Sequence, residues 1–310
     1  MKMLRMRPAL LAAVAACVFV ALSLPLAAQV AQPPAGRESG EEVGKLIAVL
    51  QSDAPPFDKD VACRRLAVIG TKAAVPALAG LLADEKLSDI ARYGLEPIPD
   101  PSVDEALRAA MAKVKGRLLI GVLNSIGNRR DQKAVPALVK LLGEADQGVA
   151  AAAASALGKI GGLQSAKALE RALGSAPAAL RPAVGDACLW CARTLLAEGK
   201  RKDALALYDR VRGSDLPPHI VAAAARGAVL ERGSAGVRLL VELLKSDNQE
   251  LFGMALRLAR EMPGAEVTKA LVAELANLPV ERRDLLSQAL RDRGEAAALP
   301  PVSKPQGAGS

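Results

Sequence analysis

Aromatic side chains are nearly absent from this chain: one tryptophan, two tyrosines and three phenylalanines in 310 residues, against a hydrophobic content of 51%. Sandwiches and barrels lean on rings in their strands, so this poverty argues against both. A core built from Leu, Val, Ile and Ala suits thin layers between close-packed helices. Histidine is rarer still. The single one, His219 in LPPHIV, falls in the first turn of an expected helix, a surface or partial-capping position. A His-based metal site or a Ser-His relay would need partners from elsewhere in the chain. No Gly-x-Ser-x-Gly occurs, and Gly199-Lys200 is followed by Arg201 without the upstream glycine of a phosphate-binding loop. Cysteine is scarce too, with four residues, Cys17, Cys63, Cys188 and Cys191. That is no disulfide framework.

Residues 1–28 read as a secretory signal peptide: Lys2, Arg5 and Arg7, an apolar stretch, then Leu26-Ala27-Ala28 as a small-residue cleavage site. Two alternatives stay open. Val14-Ala15-Ala16-Cys17 resembles a lipoprotein box, and Pro8 to Ala28 is long enough to serve as an uncleaved N-terminal anchor. No second apolar stretch of that length follows. Export to the periplasm or the exterior is the expectation, with a disordered linker at 29–40 and a Pro- and Gly-rich disordered tail at 295–310. Without the leader, 38 basic residues face 33 acidic ones, a net +5 in place of the whole chain's +8. Such a mild excess on an exported chain does not call for nucleic acid.

What the sequence has in abundance is repetition. AVPALAGLL at 74–82 returns as AVPALVKLL at 134–142, identical at seven of nine positions. Val75, Leu78, Leu81 and Leu82 form one helical stripe, as do Val135, Leu138, Leu141 and Leu142. Val237, Leu240, Leu243 and Leu244 repeat it, and SAKALERAL at 165–173 is a weaker copy. Pro76 and Pro136 sit in first turns, where a missing N–H costs little. Each copy follows another helix and a turn with a glycine (Gly70, Gly127, Gly161 or Gly233), the residue that commonly stops a helix. The unit is helix A, glycine turn, helix B, polar link, about 30 residues long. A helices are expected near 60–69, 87–95, 117–126, 148–160, 182–197, 218–231, 249–261 and 280–292, and B helices near 73–83, 102–114, 132–143, 164–173, 201–212, 235–246 and 265–277. Pro97, Pro99 and Pro101 make the second unit's turn extended, with Ser102-Val103-Asp104-Glu105 as a capping box. GEEVGKLIAVLQS at 40–52 is a plausible N-terminal capping helix, and Arg282, Arg283, Asp284 and Arg291 are candidates to solvate the last one.

These helix pairs, with LGKIGG at 157–162 and AVPALVKLL at 134–142, resemble HEAT repeats, the short unit first described in phycobilisome lyases being the nearest kind. The resemblance covers roughly 41–293. It implies an all-α fold, a right-handed α-solenoid of about seven to eight stacked antiparallel helix pairs (armadillo-like/HEAT) over 41–294. LLAEGKRKDALALYDRV also resembles a tetratricopeptide unit through Gly199, Ala204, Tyr208 and Pro217, and reads as a variant pair in the same stack. The chain further resembles the repeat segment of large exported bacterial proteins, where such repeats adjoin sugar-processing or c-type haem domains. No Cys-x-x-Cys-His is present, since Ala192 follows Cys191.

Two features are candidates for chemistry. Cys188-Leu189-Trp190-Cys191 places two sulfurs at i and i+3 on one helical face. Buried packing is the favoured reading; a redox pair or a metal site, the latter needing Cys63 or His219, remains an alternative. The A–B turns carry Lys72, then Arg129, Arg130 and Lys133, then Lys200, Arg201 and Lys202, which stacking would set along one edge as a basic ridge for an anionic envelope component; solvated turns are the plainer reading. Lys140, an exposed position that differs between the two AVPAL copies, is a further interaction candidate, with Ala79, Gly80 and Val139. The overall expectation is a noncatalytic, cofactor-free exported scaffold that binds a protein partner on its concave, B-helix face. The alternative is a lyase-like enzyme or an accessory subunit of an envelope sugar-processing or redox system.

Overall fold

The computed structural model describes residues 37–293. The leader, Cys17, the linker before Arg37 and the tail at 295–310 lie outside them. Contacts divide the chain between Glu42 and Val43. Of the first unit only the opening turn of α1 (Arg37–Gln51) is described, and that helix begins inside the expected linker. From Val43 onward the described residues of the second unit form seven A–B pairs: α2 (Pro56–Ile69) and α3 (Val75–Gly80), α4 (Ser88–Leu95) and α5 (Pro101–Met111), α6 (Gly116–Asn128) and α7 (Val135–Leu141), α8 (Gln147–Ile160) and α9 (Gly162–Ser175), α10 (Arg181–Ala197) and α11 (Arg201–Arg212), α12 (Pro218–Arg232) and α13 (Val237–Leu244), α14 (Gln249–Glu261) and α15 (Ala265–Glu274). A single A helix, α16 (Val280–Asp292), follows. Among the described residues there is no strand. This is an α-solenoid. Each A helix packs on the next, from α2 on α4 through α14 on α16, and B helices meet in a second layer, α3 on α5 and α7 on α9.

The layers are thin because the side chains are small. In α8, Ala150, Ala152, Ala153, Ala154 and Ala156 are all buried, which lets neighbouring backbones close in. Gly158 touches α10 so tightly that a Cβ there would lie 2.6 Å from the Ala187 carbonyl oxygen, and one on Gly127 would lie 2.8 Å from the Ala156 Cα. Tyr208, one of the few rings, packs so close to Gly227 of α12 that a Cβ there would lie 2.6 Å from the ring's Cζ. The B-helix stripe is the other half of the core: Val75, Leu78 and Leu82 are buried, as are Val135 and Leu138. Pro76 and Pro136 occupy first turns, each following a short 3-10 turn, Lys72–Ala74 and Gln132–Ala134.

Two sequence expectations need correction. Gly127 does not stop α6, which runs on to Asn128; it is a close-contact glycine, and the stop comes at Arg130. Gly70 stops α2 as expected, with φ −61°; of the four turn glycines only Gly161 and Gly233 use positive φ. The cap of α5 is Asp100, not Ser102: with Pro101 in the first turn, the Asp100 carboxylate accepts from the Ser102 N–H at 2.9 Å and its hydroxyl at 2.5 Å.

Candidate interaction surface

The turn after α6 carries three of the basic candidates, Arg129, Arg130 and Lys133. Its backbone closes with the Asp131 N–H donating to the Ile126 carbonyl and the Arg130 N–H to the Gly127 carbonyl, at 3.3 and 3.0 Å. That pattern places Arg130 in the left-handed region, φ 55°, the only non-glycine there among the described residues. The turn after α10 closes with equivalent bonds but uses Gly199, φ 74°. Asp131 then caps the 3-10 turn through the Lys133 N–H at 3.0 Å and accepts from Arg108 of α5.

Arg129 faces the other way. All five guanidinium N–H groups are used: two meet Asp104 at 2.5 and 3.2 Å, and three meet the carbonyls of Glu96, Ile98 and Asp100 at 2.8, 2.9 and 3.2 Å. Arg129 is therefore withdrawn from the expected ridge and fastens the proline-rich turn of the preceding unit. Arg293, just past α16, does the same to the end of α14, donating to Ala259 and Met262 carbonyls and to Thr268. These are recurring joints between successive units. Arg282, expected to solvate the last helix, instead donates to the Ser246 carbonyl at 2.7 Å and covers the Phe252 ring.

Between α5 and this turn lies a cleft of about 280 Å³, lined by Asp104, Glu105, Arg108, Arg130 and Lys133 among others. Two more clefts open in the same B-helix layer. One of about 160 Å³ lies between α3 and α5, lined by Ala79, Leu82, Ala106, Ala110 and Val114. The other, about 310 Å³, lies between α7 and α9, lined by Val139, Leu142, Ala168, Arg171 and Ala172. Ala79 and Val139, which differ between the two AVPAL copies, thus occupy matching places in two clefts.

The remaining basic candidates do not merge into one ridge. Lys72, Lys140 and Lys202 are exposed on their separate units. Lys200 pairs with Glu198 at 2.8 Å, and Arg201 donates to the Glu231 carbonyl. The turn after α4 interrupts the row with Glu96 and Asp100, and Glu96 is held by Ser125 at 2.6 Å and Asn128 at 3.1 Å. The Asp100 carboxyl is held below the usual range, first by the Ser102 hydroxyl and its N–H, with Lys72 and Arg129 adding to the effect.

Cys188 and Cys191 lie wholly inside α10's packed face and are free thiols, as is Cys63. Burial pushes Cys63 up to about 11 and Cys191 up to about 12, and raises Cys188 as well. Thiols so protonated are poor nucleophiles. Trp190 points outward, 48% exposed, with the Arg193 guanidinium 4.0 Å from its ring centre. His219 is exposed in the first turn of α12.

Arg108, Glu105 and Asp131 were missed in the sequence. Asp131, three residues before Ala134-Val135-Pro136, carries a capping signal. Nothing local marks Arg108 as its partner, because the pair joins two units 23 positions apart.

The HEAT repeats family model matches residues 104–187, from α5 into α10. No curated protein sequence matches the chain. Among solved structures, the chain is similar to human deoxyhypusine hydroxylase in complex with glycerol, at 14% identity and a TM-score of 0.38, over 83% of this chain and 97% of that one. It is also similar to the complex of CpcE and CpcF of phycocyanin lyase from Nostoc sp. PCC7120, at 20% identity and a TM-score of 0.33, over 84% and 89%.

Proposed function

We propose that this helical repeat scaffold is noncatalytic and holds a protein partner along its B-helix layer. The observation that carries the reading is a run of three clefts along the B-helix layer: two apolar ones between B helices, lined by the copy-to-copy differences at Ala79 and Val139, and a charged one between α5 and the α6–α7 turn. Stacked repeats keep a constant core and vary the exposed positions, which is how an extended surface acquires specificity. The buried, protonated thiols favour binding over thiol chemistry. In the same reading the chain is exported by its 1–28 leader, and Lys72, Lys133, Lys140 and Lys202 give it a secondary attraction to anionic envelope components.

The test is affinity capture from the native host with the full chain and with two variants. Val139→Glu/Ala79→Glu alters the B layer; Trp190→Glu alters an exposed A helix. A partner retained at a fixed ratio by the wild type and by Trp190→Glu, and lost from the B-layer variant, is expected. Equal retention by all three overturns the reading. N-terminal sequencing of the host protein tests export, with Gln29 as the expected first residue.

A further inference from the structure

We propose that the charged cleft between α5 and the α6–α7 turn is a binding site for a carboxylate side chain of an acidic peptide segment. The inference rests on the scaffold reading and names what one part of that surface recognises.

The charges of the cleft sort themselves. Four cations, Arg108, Arg129, Arg130 and Lys133, share it with three carboxylates, Asp104, Glu105 and Asp131. Arg129 is consumed by Asp104, and Arg108 pairs with Asp131. What remains without an ion pair among the described residues is Arg130 and Lys133 on one wall and Glu105 on the other, all exposed. The two paired sets fix both walls, so the free groups sit on a preorganised frame.

The backbone supplies an independent sign. Arg130 occupies a left-handed position that costs a side-chain-bearing residue about 1–2 kcal/mol, while the equivalent turn after α10 uses glycine. Here the position is held by an arginine that lines the cleft instead. A strained residue retained at the rim of a cleft is where a binding role is to be sought.

The chemistry selects the ligand class. Two free cations attract an anion. Glu105 repels a compact dianion such as phosphate, yet accepts a hydrogen bond from a peptide N–H. A monoanionic Asp or Glu side chain carried on a peptide backbone satisfies both demands. The volume of about 280 Å³ admits such a residue and its backbone. The flanking apolar cleft across α5 gives the peptide a direction in which to continue.

The test is an NMR titration of the ¹⁵N-labelled full chain with Ac-Ala-Glu-Ala-NH2, Ac-Ala-Gln-Ala-NH2 and inorganic phosphate. Saturable shifts at Glu105, Arg130, Gln132 and Lys133 are expected for the Glu tripeptide and not for the Gln one. Arg130→Gln and Lys133→Gln should each weaken binding roughly five-fold, and Glu105→Gln should strengthen binding of the Glu tripeptide. The absence of saturable shifts, equal response to the Gln tripeptide, or tighter binding of phosphate overturns the proposal. Partner capture that survives a failed titration leaves the scaffold reading standing; a successful titration with no captured partner defeats the scaffold reading alone.

Discussion

Replacing Arg129 is the sharpest test of how the units are joined. Its guanidinium spends every N–H on the preceding unit and is only 13% exposed, while Asp104 is 23% exposed. Arg129→Met removes an ion pair and leaves the carbonyls of Glu96, Ile98 and Asp100 without their donor. Hydrogen bonds to a charged group contribute about 1.5–3 kcal/mol each, but five from one group do not add, and water re-enters at the partly open edge. Breaking a well-buried pair costs about 3–5 kcal/mol; the residual exposure places this case at about 3 kcal/mol. Arg129→Lys, a point charge without the planar fork, should lose about 2 kcal/mol. Urea unfolding measures the loss, and hydrogen exchange locates it: protection should fall first in α4, α5 and α6, because nearest-neighbour joints govern a repeat array. Arg238→Ala, at a side chain 91% exposed, is the control and should change little. A loss at Arg129 below about 0.5 kcal/mol, or protection lost evenly along the stack, refutes the joint.

Arg130→Gly should stabilise the protein by about 0.5 kcal/mol, relieving the left-handed strain against the extra freedom of an unfolded glycine; the urea midpoint reports it. Gly158→Ala should cost about 1–2 kcal/mol, because overpacking against the Ala187 backbone outweighs the helix propensity gained, whereas Gly44→Ala, with nothing within 4 Å, should be stabilising. The three buried thiols should react with a thiol reagent only on unfolding. Their folded pKa values are raised, Cys63 to about 11 and Cys191 to about 12, so their contribution is complete below the unfolded value and is lost as pH rises above it toward 11–12. Stability between pH 7.5 and 10 should therefore fall less steeply in Cys191→Ala than in the wild type, and equal slopes would contradict the burial.

The helix pairs were legible because their signals are local. The Val-Leu-Leu stripe, with a first-turn proline in two copies, marks B helices such as α7, and α7 and the A helix α14 lie within a few residues of their expected places. The turns were read less well. A glycine near a helix end looks the same whether it stops the helix, as at Gly233, or admits a neighbouring backbone, as at Gly127. Only the packed partner, Ala156 in the second case, distinguishes them. The basic turn residues show the same limit. Arg129 and Arg130 are adjacent and chemically alike, yet one spends its guanidinium on the preceding unit and the other is exposed without an ion pair. The difference comes from the left-handed step between them and from carbonyls about 30 positions upstream, which no local pattern records.

The central claim, recognition along the B-helix layer, is tested most directly by placing a photo-cross-linking amino acid singly at Ala79, Glu105, Lys140 and Arg171 on that layer, and at Ala151, Trp190 and Ala223 on the A helices, in the native host. One partner cross-linked from the B-layer positions and not from the A-helix positions is the predicted result. Cross-links from the A helices alone, or from every position alike, would contradict it.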